Sequence, residues 1–182
     1  MSDILNAIGN TPIVKLKNIV PSECGDIYVK LEAFNPTGSK KDRMALSMIL
    51  GAEKRGVLKK GMTVVEYSGG STGAGLAFVC SLKGYNFRLV TADVFGKEKI
   101  DLMRSLGANL EIIKSSDGKI NKELITNMIE KANEISKEPN TFFTNQLNNF
   151  DVIKGFIPLG EEILYQLNGK VDAVCDTVGT AG

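Results

Sequence analysis

Lys40, Lys41 and Arg43 crowd one short stretch, Asn35 to Arg43 (NPTGSKKDR), and there the sequence offers a nucleophile. A glycine and small hydroxyls precede them, and Ser39 stands three residues before Asp42, the spacing of a capping box. The segment therefore reads as a loop opening a helix. Cations at a helix N-terminus oppose the macrodipole. Two readings stay open from composition: a solvated charge run offset by Asp42, or a lysine whose pKa is lowered by neighbouring cations or burial and which attacks a carbonyl carbon.

Two further loops could hold an anion. Ser68 to Gly75 (SGGSTGAG) lies between an apolar strand and an apolar helix, and its hydroxyls and helix-start N–H groups suit a carboxylate or phosphate. Val178 to Gly182 (VGTAG) follows a last apolar run, and backbone N–H groups in such a loop can cradle phosphate. A tight turn without ligand and a frayed tail are the plain alternatives.

Composition narrows the chemistry. The 182 residues contain no histidine, which excludes Ser-His-Asp and Cys-His pairs, two-histidine zinc helices and any imidazole base. Lysine, carboxylates, tyrosine or a cofactor must do the proton work. A net charge of +1 gives no reason to expect nucleic acid or an anionic membrane as partner. Cys24, Cys80 and Cys175 are odd in number and widely spaced, so they read as buried free thiols and not as a disulfide framework or metal site. The opening MSDILNAIGN has no apolar h-region, and the longest uncharged run, Tyr67 to Leu82, is too short and too glycine-rich for a membrane span. The expectation is a cytoplasmic protein.

The elements that must position these loops alternate. Strands are expected at Thr11–Leu16, Ile27–Glu32, Thr63–Glu66, Phe87–Thr91, Leu110–Ile113, Thr141–Thr144 and Val171–Asp176. Helices are expected from Ser39 to Gly56, then at Ser71–Lys83, Lys97–Leu106, Ile120–Ser136 and Asp151–Leu167, the last kinked by Pro158. This order predicts an α/β fold with a parallel sheet covered on both faces, whose ligands bind beyond the carboxyl ends of the strands.

Taken together the loops resemble the cysteine synthase family of pyridoxal 5'-phosphate enzymes, the fold-type-II, tryptophan-synthase-β-like class. The resemblance runs through IGNTPIVKL (Ile8–Leu16), NPTGSKKDR, AEKRGVLKKG (Ala52–Gly61), EYSGGSTGAGLA (Glu66–Ala77), NQLNN (Asn145–Asn149) and VGTAG, in order along nearly the whole chain. It implies Lys41 as the catalytic, cofactor-anchoring lysine, with Ser71, Gly179, Thr180, Ala181 and Gly182 also on the cofactor. It implies Ser68, Gly69, Gly70, Thr72 and Gln146 on the substrate, and no metal. It further implies β-elimination or β-replacement on an amino acid such as O-acetylserine with sulfide or a thiol, and a homodimer. Residues 1–41 would begin a large domain, 42–145 form a small α/β domain, and 146–182 resume a large domain cut short at the C-terminus.

Two departures stand out. Where the family has Thr-Ser-Gly-Asn-Thr-Gly, this chain has Ser68-Gly69-Gly70-Ser71-Thr72-Gly73. A serine hydroxyl is lost at Gly69, and Ser71 replaces an amide with two donors by a hydroxyl with one. The rival readings are a truncated or degenerate non-catalytic homologue, and a nucleotide-dependent reductase built on the Ser68–Gly75 loop. Short-chain dehydrogenases, which that loop also resembles, use a Tyr with a Lys four residues on. None of Tyr28, Tyr67, Tyr85 or Tyr165 has one.

Overall fold

The computed structural model describes residues 4–177. Two short strands, β1 (Ile13–Lys15) and β2 (Tyr28–Lys30), pair antiparallel as a separate ribbon. Helix α1 (Lys41–Lys54) follows, and then a regular alternation begins: β3 (Thr63–Tyr67), α2 (Ser71–Lys83), β4 (Asn86–Ala92), α3 (Lys97–Ser105), β5 (Asn109–Ile113), α4 (Lys122–Ser136), β6 (Thr141–Phe143) and α5 (Asp151–Gln166).

The four later strands form one parallel sheet in the order β5-β4-β3-β6. Period-two alternation divides its side chains. Val64, Phe87 and Leu89 pack with Met44, Met48 and Ile49 of α1, Leu76 and Cys80 of α2, and Met103 of α3. Val65, Tyr67, Val90 and Ala92 pack with Leu124, Met128, Ala132 and Ile135 of α4. Both faces are covered, as a parallel sheet requires. From β3 the chain proceeds to β4 and β5 on one side and returns to β6 on the other. The gap between β3 and β6 is therefore the topological switch point, where the loops leaving the two strands part.

Local chemistry sets the boundaries. Gly84 (φ 73°) ends α2 in the left-handed conformation, with Tyr85 N–H returning to the Cys80 carbonyl at 2.9 Å. Helix α4 starts later than the expected Ile120, because Asn121 caps it: its side-chain oxygen accepts from Leu124 N–H at 2.8 Å. Helix α5 continues through Pro158, and it crosses α1 so closely that a Cβ on Gly155 would lie 2.9 Å from the Arg43 carbonyl oxygen.

Three expectations are corrected. Val171–Asp176 is not a strand; it runs irregularly, with no strand among the described residues beside it to pair its backbone. Ser39 and Asp42 do not form a capping box. Lys40 stands at the helix boundary, and Asp42 turns back to accept from the Thr37 N–H at 2.7 Å and from the Thr37 hydroxyl. Of the three free cysteines only Cys80 is buried; Cys24 in a turn and Cys175 in the irregular tail are exposed.

Candidate active site

Lys41 is the first residue of α1, and its ammonium lies 5.7 Å from the centre of the Phe156 ring of α5. Burial lowers its pKa from the ordinary lysine value. The charge of Lys40 lowers it further, against a weaker opposing pull from Asp176. The Lys40 ammonium pairs with Asp176, which returns the chain beyond α5 to the start of α1. The clustered cations are thus partly buried and ion-paired, not a solvated face. Val178 and the expected cofactor residues Gly179, Thr180, Ala181 and Gly182 lie outside the described residues.

The loop after β3 reaches the same helix start. A Cβ on Gly75 would meet Asp42 Oδ1 at 3.0 Å and the Lys41 carbonyl oxygen at 3.2 Å, so glycine there lets the second turn of α2 close on the first turn of α1. The buried Ser68 hydroxyl oxygen accepts from Gly70 and Gly73 N–H, each at 3.1 Å, and holds the loop in shape. The N–H groups of Ser71 and Thr72, first in a 13-residue helix, have no carbonyl of their own helix to bond, so they are groups that could donate to an anion. Ser71 itself is exposed. Gly69 has no room for a side chain: a Cβ there would lie 2.3 Å from Phe95 Cε1. The hydroxyl lost at Gly69 is replaced by this aromatic ring, delivered from the turn after β4.

Gln146 lies just beyond β6, across the switch point. Its Oε1 accepts from the Thr72 hydroxyl at 2.8 Å, and its Nε2 donates to the Tyr67 carbonyl at 3.1 Å. Behind it, the fully buried Glu66 accepts from Gln146 N–H at 2.9 Å, the Thr144 hydroxyl at 2.7 Å and Tyr67 N–H at 2.9 Å. The structure therefore bonds Ser68 to Gly70 within the loop and Thr72 to Gln146 across the switch point, with Gly69 under Phe95. Sequence reasoning missed Glu66, Thr144, Phe95 and Phe156. A carboxylate placed at the end of an otherwise apolar strand was the available signal for Glu66.

A second cluster anchors Lys41 from below. The Arg43 guanidinium bonds Glu32 at 2.7 and 2.8 Å and Glu162 at 2.7 and 2.8 Å. Lys30 joins Glu162 at 2.7 Å, and Asn10 N–H reaches the same carboxylate at 2.8 Å. Gly9 N–H donates to Asn35 Oδ1 at 2.8 Å. The two stretches Ile8–Leu16 and Asn35–Arg43 are thereby locked to α5.

These residues fit pyridoxal phosphate at its carbonyl end: a half-buried lysine at one helix start lies on a helix packed against a second one, whose own start bears hydroxyls and open N–H groups. Among the described residues no group of three or more His, Cys, Asp or Glu could hold a metal, and no helix is long and apolar enough to cross a membrane.

Residues 4–182 match the pyridoxal-phosphate dependent enzyme family. The chain is 40% identical over 184 residues to a cysteine synthase of Staphylococcus aureus, covering 100% of this chain and 57% of that protein. It is 36% identical over 183 residues to cysteine synthase B of Escherichia coli, covering 58% of it. Among solved structures, O-acetyl serine sulfhydrylase isoform 3 from Entamoeba histolytica superposes with a TM-score of 0.88 at 35% identity, over 100% of this chain and 54% of that one. A hydrogen sulfide-producing enzyme from Fusobacterium nucleatum gives 0.85 at 39% identity, over 94% and 56%. The chain thus spans just over half the length of these relatives.

Proposed function

The chain belongs to the pyridoxal-phosphate dependent enzymes, and from that premise we propose that it serves a cysteine synthase-like β-replacement on an amino acid, with O-acetylserine and sulfide as the first pair to test. The observation that carries this reading is the Lys41 amine, partly buried and of lowered pKa, at a helix start packed against the helix that the Ser68–Thr72 loop opens. Bound pyridoxal phosphate supplies a carbonyl carbon for an amine and a ring that withdraws electrons from the substrate's α-carbon.

The chain's own residues supply the rest. Lys41 would anchor the cofactor, and its amine would take the α-proton; a lowered pKa gives it a larger neutral fraction for that task. The N–H groups of Ser71 and Thr72, with the Thr72 hydroxyl and the Gln146 amide, hold the substrate carboxylate. Ser68 holds the loop that presents them. Gly179 to Gly182 complete the phosphate side. Phe95 and Phe156 are apolar walls that keep water from the reacting atoms. Residues 42–145 act as the small domain that closes over the substrate. In this reading the protein works as a cytoplasmic homodimer on a small molecule, without nucleic acid or membrane.

Adding pyridoxal phosphate to the purified chain should produce a visible absorbance band that changes on addition of O-acetyl-L-serine, and sulfide should then yield cysteine. A bound cofactor with no response to O-acetyl-L-serine would redirect the search to other β-substituted amino acids. No bound cofactor would refute the reading for this chain.

A further inference from the structure

Glu66 is fully buried, and among the described residues no cation is paired with it. All three of its partners are donors: Tyr67 N–H at Oε1, and the Thr144 hydroxyl and Gln146 N–H at Oε2. It lies directly behind Gln146, whose side chain bridges the two sides of the switch point. The bonds fix which way the Gln146 amide faces. Reversed, its carbonyl oxygen would meet the Tyr67 carbonyl, two acceptors facing each other.

We propose that Glu66 is a positioning residue of the carboxylate pocket: by holding the Thr144 hydroxyl and the Gln146 main chain it sets the Gln146 amide against Thr72. This rests on the reading of Thr72 and Gln146 as substrate-binding residues. The network is built to tolerate a proton on Glu66. Thr144 Oγ1 lies 2.7 Å from Glu66 Oε2 and 3.2 Å from the Val65 carbonyl oxygen, so its hydroxyl has two acceptors. With Glu66 ionised, Thr144 donates to it. With Glu66 protonated at Oε2, Glu66 donates to Thr144 Oγ1, Thr144 turns its own proton to Val65, and Oε2 still accepts from Gln146. Neither state leaves a donor unmatched.

The surroundings suit such a group. Burial pushes the Glu66 carboxyl up to about 7, against the opposing bonds from Thr144, Tyr67 and Gln146. The Tyr67 phenol is its titratable neighbour. On β4, Arg88 takes the alternate face and pairs with Glu111 and Glu138; on α2, Lys83 pairs with Glu53; β6 carries no charged side chain. Helix α4 covers the opposite face of the sheet from Glu66, where Val65 and Tyr67 pack.

An amide cannot imitate the protonated acid. Glu66→Gln puts its NH2 against either Tyr67 N–H or Gln146 N–H. The test is 1H–15N NMR of the chain from about pH 5 to about pH 9, following the Gln146 main-chain and side-chain N–H signals. In the wild type they should shift together with one midpoint. In Glu66→Gln that titration should vanish, and in Thr144→Val its midpoint should move up, because a bond to the ionised form is gone. Gln146 signals that ignore pH in the wild type, or that still titrate in Glu66→Gln, overturn the proposal. If Glu66→Gln does not fold, an unmoved midpoint in Thr144→Val overturns it alone. With cofactor, Glu66→Gln should raise the KM for O-acetyl-L-serine about tenfold, more than it lowers kcat; a loss confined to kcat also counts against it. An inert chain whose Gln146 signals titrate through Glu66 sinks the proposed function and sustains the positioning role.

Discussion

The Thr72 hydroxyl donates to Gln146 Oε1 across 2.8 Å, joining residues 74 positions apart. Thr72 is the second residue of the helix after β3, and Gln146 follows β6, the neighbouring strand. Because the hydroxyl proton is already committed to Gln146, an incoming carboxylate must compete for it. Thr72→Val keeps the shape and removes the hydroxyl. The expected outcome is a KM for O-acetyl-L-serine raised about fivefold to about fifteenfold, from one lost hydrogen bond. Thr72→Ser should retain most of the affinity in the same steady-state assay.

Under the proposed function, Lys41→Ala removes both anchor and base. The absorbance band of the bound cofactor should be lost or displaced, and turnover should fall by about 10²-fold to about 10⁴-fold. Lys40→Ala, which leaves the Lys41 amine in place, should keep a cofactor band. Spectra of the two variants recorded side by side separate the adjacent lysines.

Gly69→Ala forces a Cβ into the Phe95 ring, 2.3 Å from its Cε1. The cost should be about 1–3 kcal/mol in urea unfolding. Phe95→Ala opens the space, so the double variant should lose less stability than the sum of the two single variants. Strict additivity would show that the ring does not limit residue 69.

Arg43→Met leaves Glu32 and Glu162 facing each other without their shared cation, in a site where the Arg43 side chain is only 3% exposed. A loss of about 3–5 kcal/mol is expected in chemical denaturation. Glu162→Gln should cost less, because the guanidinium keeps Glu32.

Two carboxylates, the half-buried Glu162 and the buried Glu66, respond to pH with opposite sign. Burial would raise Glu162, but the bonds from Arg43 and Lys30 outweigh it and hold the carboxyl at about 2. Its contribution is present above the ordinary value of 4.5 and lost as pH falls from there toward about 2. Burial raises Glu66 to about 7, so its contribution is full below 4.5 and lost as pH rises through about 7. Unfolding free energies measured from acid to mildly alkaline pH should show both limbs. Glu162→Gln should flatten the acid limb and Glu66→Gln the neutral one.

The alternation of elements was legible in the sequence because periodicity and glycine stops are local signals. The bounds Ser71–Lys83 follow from an apolar run closed by Gly84, and the structure returns them unchanged. The cation cluster alone left Lys41 open between a solvated run and a nucleophile, and only the family resemblance singled it out. The apolar run Val171–Asp176 misled, because a strand exists only where another strand supplies its hydrogen bonds, and no local pattern contains that partner.

By itself, the sequence determined which residue types were available: no imidazole, a lysine at a helix start, and a glycine-rich loop between strand and helix. Only the tertiary structure decided what those residues face. Arg43 meets Glu162 across 119 positions, Gln146 meets Glu66 across 80, and Phe95 fills the space that Gly69 leaves. Burial and long-range pairing set the Lys41 and Glu66 ionisations, and both arise only when separate segments exclude water together.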